Sequence, residues 1–572
     1  MWIFAWVLLI ILLGFTYVEV DLSVRFNKWR APFYDAIQNY DEPAFWNLML
    51  TFTYLAIAYI LLAVLSTYFQ QWLQNRWRKW LTEQYLGKWM SDNSYYYWHL
   101  TGKATDNPDQ RLTDDIRDFV DRTLDLFFNF LGRLGNLVAF TIILWQISGS
   151  LNIGGTPYDI KIPLPLTGEI NDMPPVIVGG FDIQGYMLWA CLAYAIIGTF
   201  VGHLIGRALI GINYDQQRYE ADMRFALIRL RETSEQVALN RGAASEEKRL
   251  LGRFAYVYQN FNVYMNRMKW LVLHQSIYNQ LAIIFPFVVC APRYFAHQIT
   301  LGTLMRIAST FDNVRVSLSW FLNAYVQLAL WRSIVIRLNG YLDVVEETKR
   351  IHSGALISST AKGSPLTVVG SDISLPGGSK LFGPLNLEVK PGMSLLVAGP
   401  SGSGKSTLFR TLMGLWPFAS GKITIPEGNR MMVIPQKPYM PLDTLRGAVS
   451  YPSESGDFSD ELIQAAMTRA CVPALIDKLN DTENWGNVLS PGEQQRLAFA
   501  RVFLHKPDWL FLDEATSALD EETQKKMYDE IRELVPGITI VSIAHRASLR
   551  NYHDFIIDVT APVPKLETLQ PA

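Results

Sequence analysis

Residues Ser394–Thr407 read SLLVAGPSGSGKST: a five-residue apolar strand, a glycine-rich loop and the opening of a helix. Gly399–Ser406 fits the pattern GxxxxGK[ST], and a strand before it and a helix after it are the context in which that spacing binds phosphate. Gly402 and Gly404 let backbone N–H groups close around a β-phosphate, and the helix starting near Thr407 adds positive potential at its N-terminus. Lys405 reaches the β- and γ-phosphates, and Ser406 offers a hydroxyl to Mg²⁺. Gly399, Pro400, Ser401, Gly402, Ser403, Gly404, Lys405, Ser406 and Thr407 are therefore the expected nucleotide-binding set on an α/β P-loop core.

Hydrolysis needs carboxylates, and the apolar strand Trp509–Leu512 runs directly into Asp513 and Glu514, one placed for Mg²⁺ and one for a water. The string LSPGEQQR at Leu489–Arg496 lies some twenty residues upstream, ATSALD follows at Ala515–Asp520, and Gln436 and His545 complete the set. LSPGEQQR resembles the signature sequence of the ABC ATPases. The resemblance implies ATP and Mg²⁺ as cofactors, with Asp513 and Ser406 on the metal and Gln436 sensing it. It further implies Glu514 as general base for the attacking water and His545 on the γ-phosphate. Ser490 and Gly492, with Glu493 beside them, would bind the γ-phosphate of ATP held on another subunit, so the single ATPase domain implies a homodimer. Two departures stand out. The family's LSGGQ carries Pro491 and Glu493 here, although proline suits the first turn of a helix. The aromatic that commonly stacks on adenine is replaced, in SDISLPGGSKLF, by Leu375 and Pro376, which leaves strict adenine preference open.

Outward from this core, composition changes. At 572 residues the chain exceeds a single core. Residues 1–340 are rich in Trp, Tyr, Phe and Leu with long uncharged runs, 341–365 reads as a linker, and 366–572 has the charge density of a soluble domain. Crossing a bilayer takes about 20 apolar residues. Six segments qualify: Trp2–Val20, Phe52–Phe69, Leu126–Trp145, Tyr186–Ile205, Leu271–Ala291 and Ile299–Ala329. The first lacks the basic start and small-residue cleavage site of a signal peptide, and is expected to be retained. Because Met1 opens directly in hydrocarbon, a further segment upstream is expected. Arg76, Arg78, Lys79 and Lys88 after the second span, and Arg207, Arg218 and Arg224 after the fourth, mark cytoplasmic loops. Asp159, Glu169, Asp172 and Asp182 against Lys161 mark the 148–184 loop as external.

In the sixth segment, Leu304, Ile307, Phe311, Val314, Leu318, Phe321 and Tyr325 form one helical stripe. Arg306, Ser309, Asn313 and Ser317 form a second line, and Asp312, Arg315 and Ser319 a third. Charges in hydrocarbon face a wet cavity or pair with one another, and both readings are open here.

DNPDQRL at Asp106–Leu112, YEADMRFALIRLRETSEQVALNRG at Tyr219–Gly242, LSWFLNAYVQLALWRSIVIRL at Leu318–Leu338 and PQKPYMPLDTLRGAVSYP at Pro435–Pro452 resemble the SbmA/BacA-like group. Bacterial YddA-type proteins and the peroxisomal fatty-acyl-CoA half-transporters are similar in the same places. The implied fold is an all-α six-helix membrane domain of ABC exporter type followed by the α/β P-loop ATPase, multi-pass in a bacterial inner membrane. The implied coupling segment is Tyr219–Gly242. The implied cargo is hydrophilic or amphipathic, such as peptides or cobalamin; acyl-CoA or fatty acid is the alternative. A membrane-anchored regulatory ATPase is a third reading, disfavoured by charges inside the spans. Expected partners are a second copy, membrane lipid and the small-molecule or peptide substrate. A net charge of −2 gives no nucleic-acid footprint, and the three cysteines show no metal spacing.

Overall fold

The computed structural model describes residues 2–100, 108–153, 161–163, 170–172, 181–353, 357–360, 363–400, 402–428, 430–544, 546–560 and 564–569. The chain divides into two compact units. One joins Met1–Gly87 to Asn107–Leu342; the other joins Lys88–Asp106 to Asp343–Ala572.

The first unit is built on long helices: α1 (Trp2–Gln38), α2 (Glu42–Met90), α3 (Ile116–Ser148), α4 (Tyr186–Glu232), α5 (Ala243–Phe295) and α6 (Leu301–Ser353). Among the described residues, five helices are long and apolar enough to cross a membrane: those ending at Gln38, Tyr97, Ser148, Glu232 and Phe295. No more than 17% of any of their apolar windows is buried inside the chain, as expected for surfaces meant for lipid or another subunit. The α6 helix falls outside that set. Arg306, Asp312 and Arg315 within a few turns reduce its hydropathy although its length suffices.

The expected stripe on α6 is buried at its start, with Leu304 at 6% exposure and Ile307, Phe311 and Val314 at 0%, but Tyr325 at its far end is 66% exposed. Two of the charges pair with each other, and the third bonds a neutral amide. Arg315 donates to Asp312 at 2.7 Å and to Asn279 Oδ1 at 3.2 Å and sits over the Tyr278 ring. Arg306 donates to Asn27 at 3.1 Å, and Asn27 donates to Thr310 at 2.9 Å. Asp312 remains the open member, with its side chain 57% exposed. At the start of α6, Asp35 of α1 accepts the Gly302 N–H at 2.8 Å, and a Cβ at Gly302 would fall 2.0 Å from the Ala31 carbonyl oxygen. Only glycine permits that approach.

At the opposite end of this unit a π-helical turn, Arg111–Asp115, precedes α3. Asp115 accepts from Arg111 at 2.5 Å and from Arg337 of α6 at 2.9 and 2.7 Å, and is buried. Ile116, Ile334 and Leu338 pack beneath it with Tyr85. The Tyr85 and Tyr341 rings stack at 5.6 Å.

Among the described residues the second unit holds two larger sheets and one short antiparallel pair, Asp443–Thr444 with Thr482–Glu483. In the first, strands β1 (Ile357–Thr360), β2 (Leu366–Ser374), β3 (Lys380–Val389) and β5 (Lys422–Pro426) lie in the order β1-β5-β2-β3. In the second, β4 (Ser394–Ala398), β6 (Met431–Ile434), β7 (Trp509–Asp513), β8 (Thr539–Ile543), β9 (Phe555–Asp558) and β10 (Leu566–Thr568) lie in the order β6-β7-β8-β4-β9-β10, parallel except for the last pair. Strands β4, β7 and β8 are buried on both faces, one against helical residues such as Phe499, Met527 and Tyr528 and the other against Leu408, Leu412 and the first sheet. The stretch 341–365, expected as a linker, is helical as far as Ser353 and supplies β1, which pairs with β5.

Candidate functional site

The carboxyl ends of β4 and β7 lie on either side of β8 and point the same way, so the glycine-rich loop and the two acids meet at one edge of the sheet. Helix α7 (Lys405–Leu412) begins where the loop ends. Gly399 and Gly404 take φ of 147° and 93°, and a Cβ at either would come within 2.8 and 3.0 Å of Ser403 Oγ and the Phe382 ring. Lys405 is 6% exposed and donates to the Gly399 and Pro400 carbonyls at 2.8 and 2.7 Å, which fixes its ammonium across the loop. Ser403 Oγ is buried without a partner. That orphaned hydroxyl, the glycine cradle and the held ammonium fit a triphosphate. Ser401 lies outside the described residues.

Burial pushes the Asp513 carboxyl above its ordinary range; a hydrogen bond from Ser406 and the cations Arg410 and Lys405 oppose that shift. A hydroxyl beside a carboxylate is the hard-oxygen pair that suits Mg²⁺. Glu514 has φ of +48°, a left-handed conformation costly for a non-glycine residue, held by its N–H on the Ile543 carbonyl and by Ser517 N–H on its own carbonyl. Its carboxylate accepts from Gln436 Nε2 at 2.9 Å. Asp513, Glu514, Gln436, Lys405 and Ser406 are thus gathered at one place. His545 lies outside the described residues.

The signature opens helix α8 (Pro491–His505). Ser490 is its N-cap, Pro491 occupies the first helical position, and Glu493 closes a capping box by accepting the Ser490 N–H at 2.9 Å while its own N–H reaches Ser490 Oγ at 3.3 Å. Both departures from the family pattern therefore have a local reason: proline needs no N–H there, and glutamate satisfies a donor. Hydrogen bonds from Ser490 hold the Glu493 carboxyl below its usual value. The Gly492 backbone and the exposed Ser490 hydroxyl stand at the positive end of a 15-residue helix. Leu375, where a stacking aromatic was sought, sits 40% exposed in a turn closed by Leu375 N–H on the Ser379 carbonyl.

The contacts of the Tyr97–Leu100 segment, of Gln495 and of Arg546 are not apparent from motif spacing. Within the second unit, Tyr97 and Trp98 are buried, the Tyr97 hydroxyl donates to the Gly414 carbonyl at 3.4 Å, and Leu100 packs on the core containing Leu412 and Trp416. The aromatic run SYYYWHL at Ser94–Leu100 was the available signal. The block Tyr219–Gly242, expected to carry coupling, has Phe225 at 66% and Leu239 at 77% exposure. Gln495, buried inside α8, bonds to the Gln436 backbone and to the loop after Glu514. Arg546 holds that loop from its other side through the Leu519 and Ser517 carbonyls at 2.7 and 3.2 Å.

Residues 1–295 match the family described as ABC transporter transmembrane region 2, and 382–517 match the ABC transporter family. The chain is similar to the inner membrane ABC transporter ATP-binding protein YddA of Escherichia coli, 31% identical over 97% of this chain and 94% of that protein. It is 27% identical to the human lysosomal cobalamin transporter ABCD4 over 96% of this chain and 90% of that one. In fold it resembles a bacterial Atm1-family ABC exporter solved with ATP bound, with a TM-score of 0.74 at 16% identity over 98% and 95% of the two chains.

Proposed function

The chain belongs to the ABC half-transporters of the YddA type, a membrane region and an ATPase domain in one multi-pass polypeptide that couples ATP hydrolysis to transport, and we propose that it works as a homodimer moving hydrophilic or amphipathic solutes, peptides or corrinoids. In this reading α6 is the sixth span and the ATPase unit faces the cytoplasm. The observation that carries the catalytic part is the Glu514 carboxylate, held by Gln436 at 2.9 Å beside the Asp513–Ser406 pair.

Lys405 and the loop N–H groups bind and orient the β- and γ-phosphates. Glu514 takes the proton of a water that attacks the γ-phosphorus, and the bond to the β–γ bridging oxygen breaks, leaving ADP and phosphate. Mg²⁺, when bound, neutralises charge on the phosphate oxygens, and Ser406 and Asp513 would hold it with Gln436 beside them. Ser490 and the Gly492 N–H close the site from a second copy; the exposed helix end and the single ATPase domain per chain support this. His545 is proposed as the γ-phosphate contact on sequence grounds. Cobalamin as cargo is supported by the similarity to the human lysosomal cobalamin transporter ABCD4.

The test is ATP turnover by the purified chain in lipid discs. Glu514→Gln is expected to reduce kcat at least about 100-fold with nucleotide affinity retained; normal turnover in that variant refutes the assignment. In a stimulation series, corrinoids or peptides should raise turnover, whereas a response only to acyl-CoA would transfer the cargo to that class.

A further inference from the structure

Resting on the ATPase reading, we propose that Gln495 is a positioning residue for hydrolysis: its carboxamide fixes the separation between the loop carrying Gln436 and the loop that follows Glu514. Gln495 is 2% exposed. Its Nε2 donates to the Gln436 carbonyl and to Ser517 Oγ, both at 3.1 Å, and its Oε1 accepts the Ala518 N–H at 3.0 Å. One side chain therefore uses both its donors and an acceptor on two loops that α8 otherwise only passes between.

Those loops meet at the reacting end. Gln436 Nε2 reaches Glu514 at 2.9 Å, and Ser517 N–H bonds the Glu514 carbonyl at 3.0 Å. Glu514 sits in a left-handed conformation that its surroundings must impose, and Gln495 is part of what imposes it. Its position in the signature helix adds a consequence. Ser490, at the start of α8, is the group proposed to meet the partner's nucleotide, and Gln495 lies little more than one turn further along the same helix. A shift of α8 on dimer closure is thereby passed to Gln436 and Glu514 through three hydrogen bonds. Residues that share one network are expected to be non-additive when removed together.

The experiment compares Gln495→Met, Gln495→Glu, Gln436→Ala and the double variant Gln436→Ala with Gln495→Met, each as full-length chain in lipid discs. Turnover and fluorescent-ATP affinity are measured together. Gln495→Met is expected to reduce kcat about tenfold to a hundredfold, a loss typical of a displaced catalytic group, with affinity within about twofold of wild type. Gln495→Glu keeps the acceptor for Ala518 and loses both donors, so it should show the same split even if the methionine variant fails to fold. The double variant should turn over no more slowly than the slower single one. Multiplying losses, or affinity falling in step with kcat, would mean that Gln495 only supports the fold, and unchanged kcat would mean that it positions nothing. A wild-type chain without turnover defeats the ATPase reading itself and this proposal with it. Wild-type turnover abolished by Glu514→Gln, beside an unaffected Gln495→Met, defeats the positioning proposal alone.

Discussion

Single residues in the ATPase unit show how local strings and long-range contacts differ in legibility. The phosphate loop and the Asp513–Glu514 pair were readable because each set is contiguous, and the chemistry fixes spacing within a few residues. Gln495 was not, since its partners Gln436 and Ser517 lie in other segments and a glutamine in a helix suggests only solubility. His553 is a similar case. It is buried, with Nδ1 facing the Leu549 carbonyl and Nε2 facing Ser542 Oγ, both at 2.8 Å, so the neutral ring donates at one nitrogen and accepts at the other. Burial lowers its pKa from 6.5 to about 4, with the Leu549 bond opposing. The unfolded chain binds a proton below 6.5 and the folded one only near 4. Stability is therefore complete above the unfolded pKa and falls as pH drops from 6.5 to 4, by about 3 kcal/mol in total. His553→Gln should flatten that part of the pH–stability curve in thermal unfolding; an unchanged slope would show that other groups carry it.

At the level of elements, the Arg111–Asp115–Arg337 cluster joins a π-turn to α6 through a buried carboxylate. The gain from such a pair is small against its desolvation, but stranding one member is costly. Arg337→Leu leaves Asp115 with Arg111 and is expected to cost about 3 kcal/mol. Asp115→Leu removes the acceptor shared by two guanidinium groups and should cost more. Denaturation midpoints in detergent would rank them, and the reverse order contradicts the account. The helices themselves were legible as apolar runs, yet α6 shows the limit of that signal: Arg315 reads as a membrane charge until Asp312, Asn279 and Tyr278 are found around it. Sequence spacing suggested the Asp312 pairing; Asn279, on another helix, left no trace. Strand β1 left no trace for a related reason, because it gains its identity only from β5.

For the whole molecule, the homodimer reading has a complementation test. Lys405→Ala damages a chain's own phosphate loop, and Ser490→Arg damages the helix end offered to its partner. Homodimers of either should be inactive. Mixed during assembly, they form heterodimers with one intact composite site, and turnover should return to about a quarter of wild type. Continued inactivity would remove the trans arrangement. The segment Lys88–Asp106 has a different bearing, on exchange between relatives. It belongs to the ATPase unit although it is encoded far ahead of it, and Tyr97, Trp98 and Leu100 are seated against Gly414 and the Leu412–Trp416 core. A gene cut once, just after Leu342, to graft on another motor would leave the old segment facing a foreign surface. Functional chimeras need two cuts in the membrane half as well, so that the motor and its distant aromatic insert travel together.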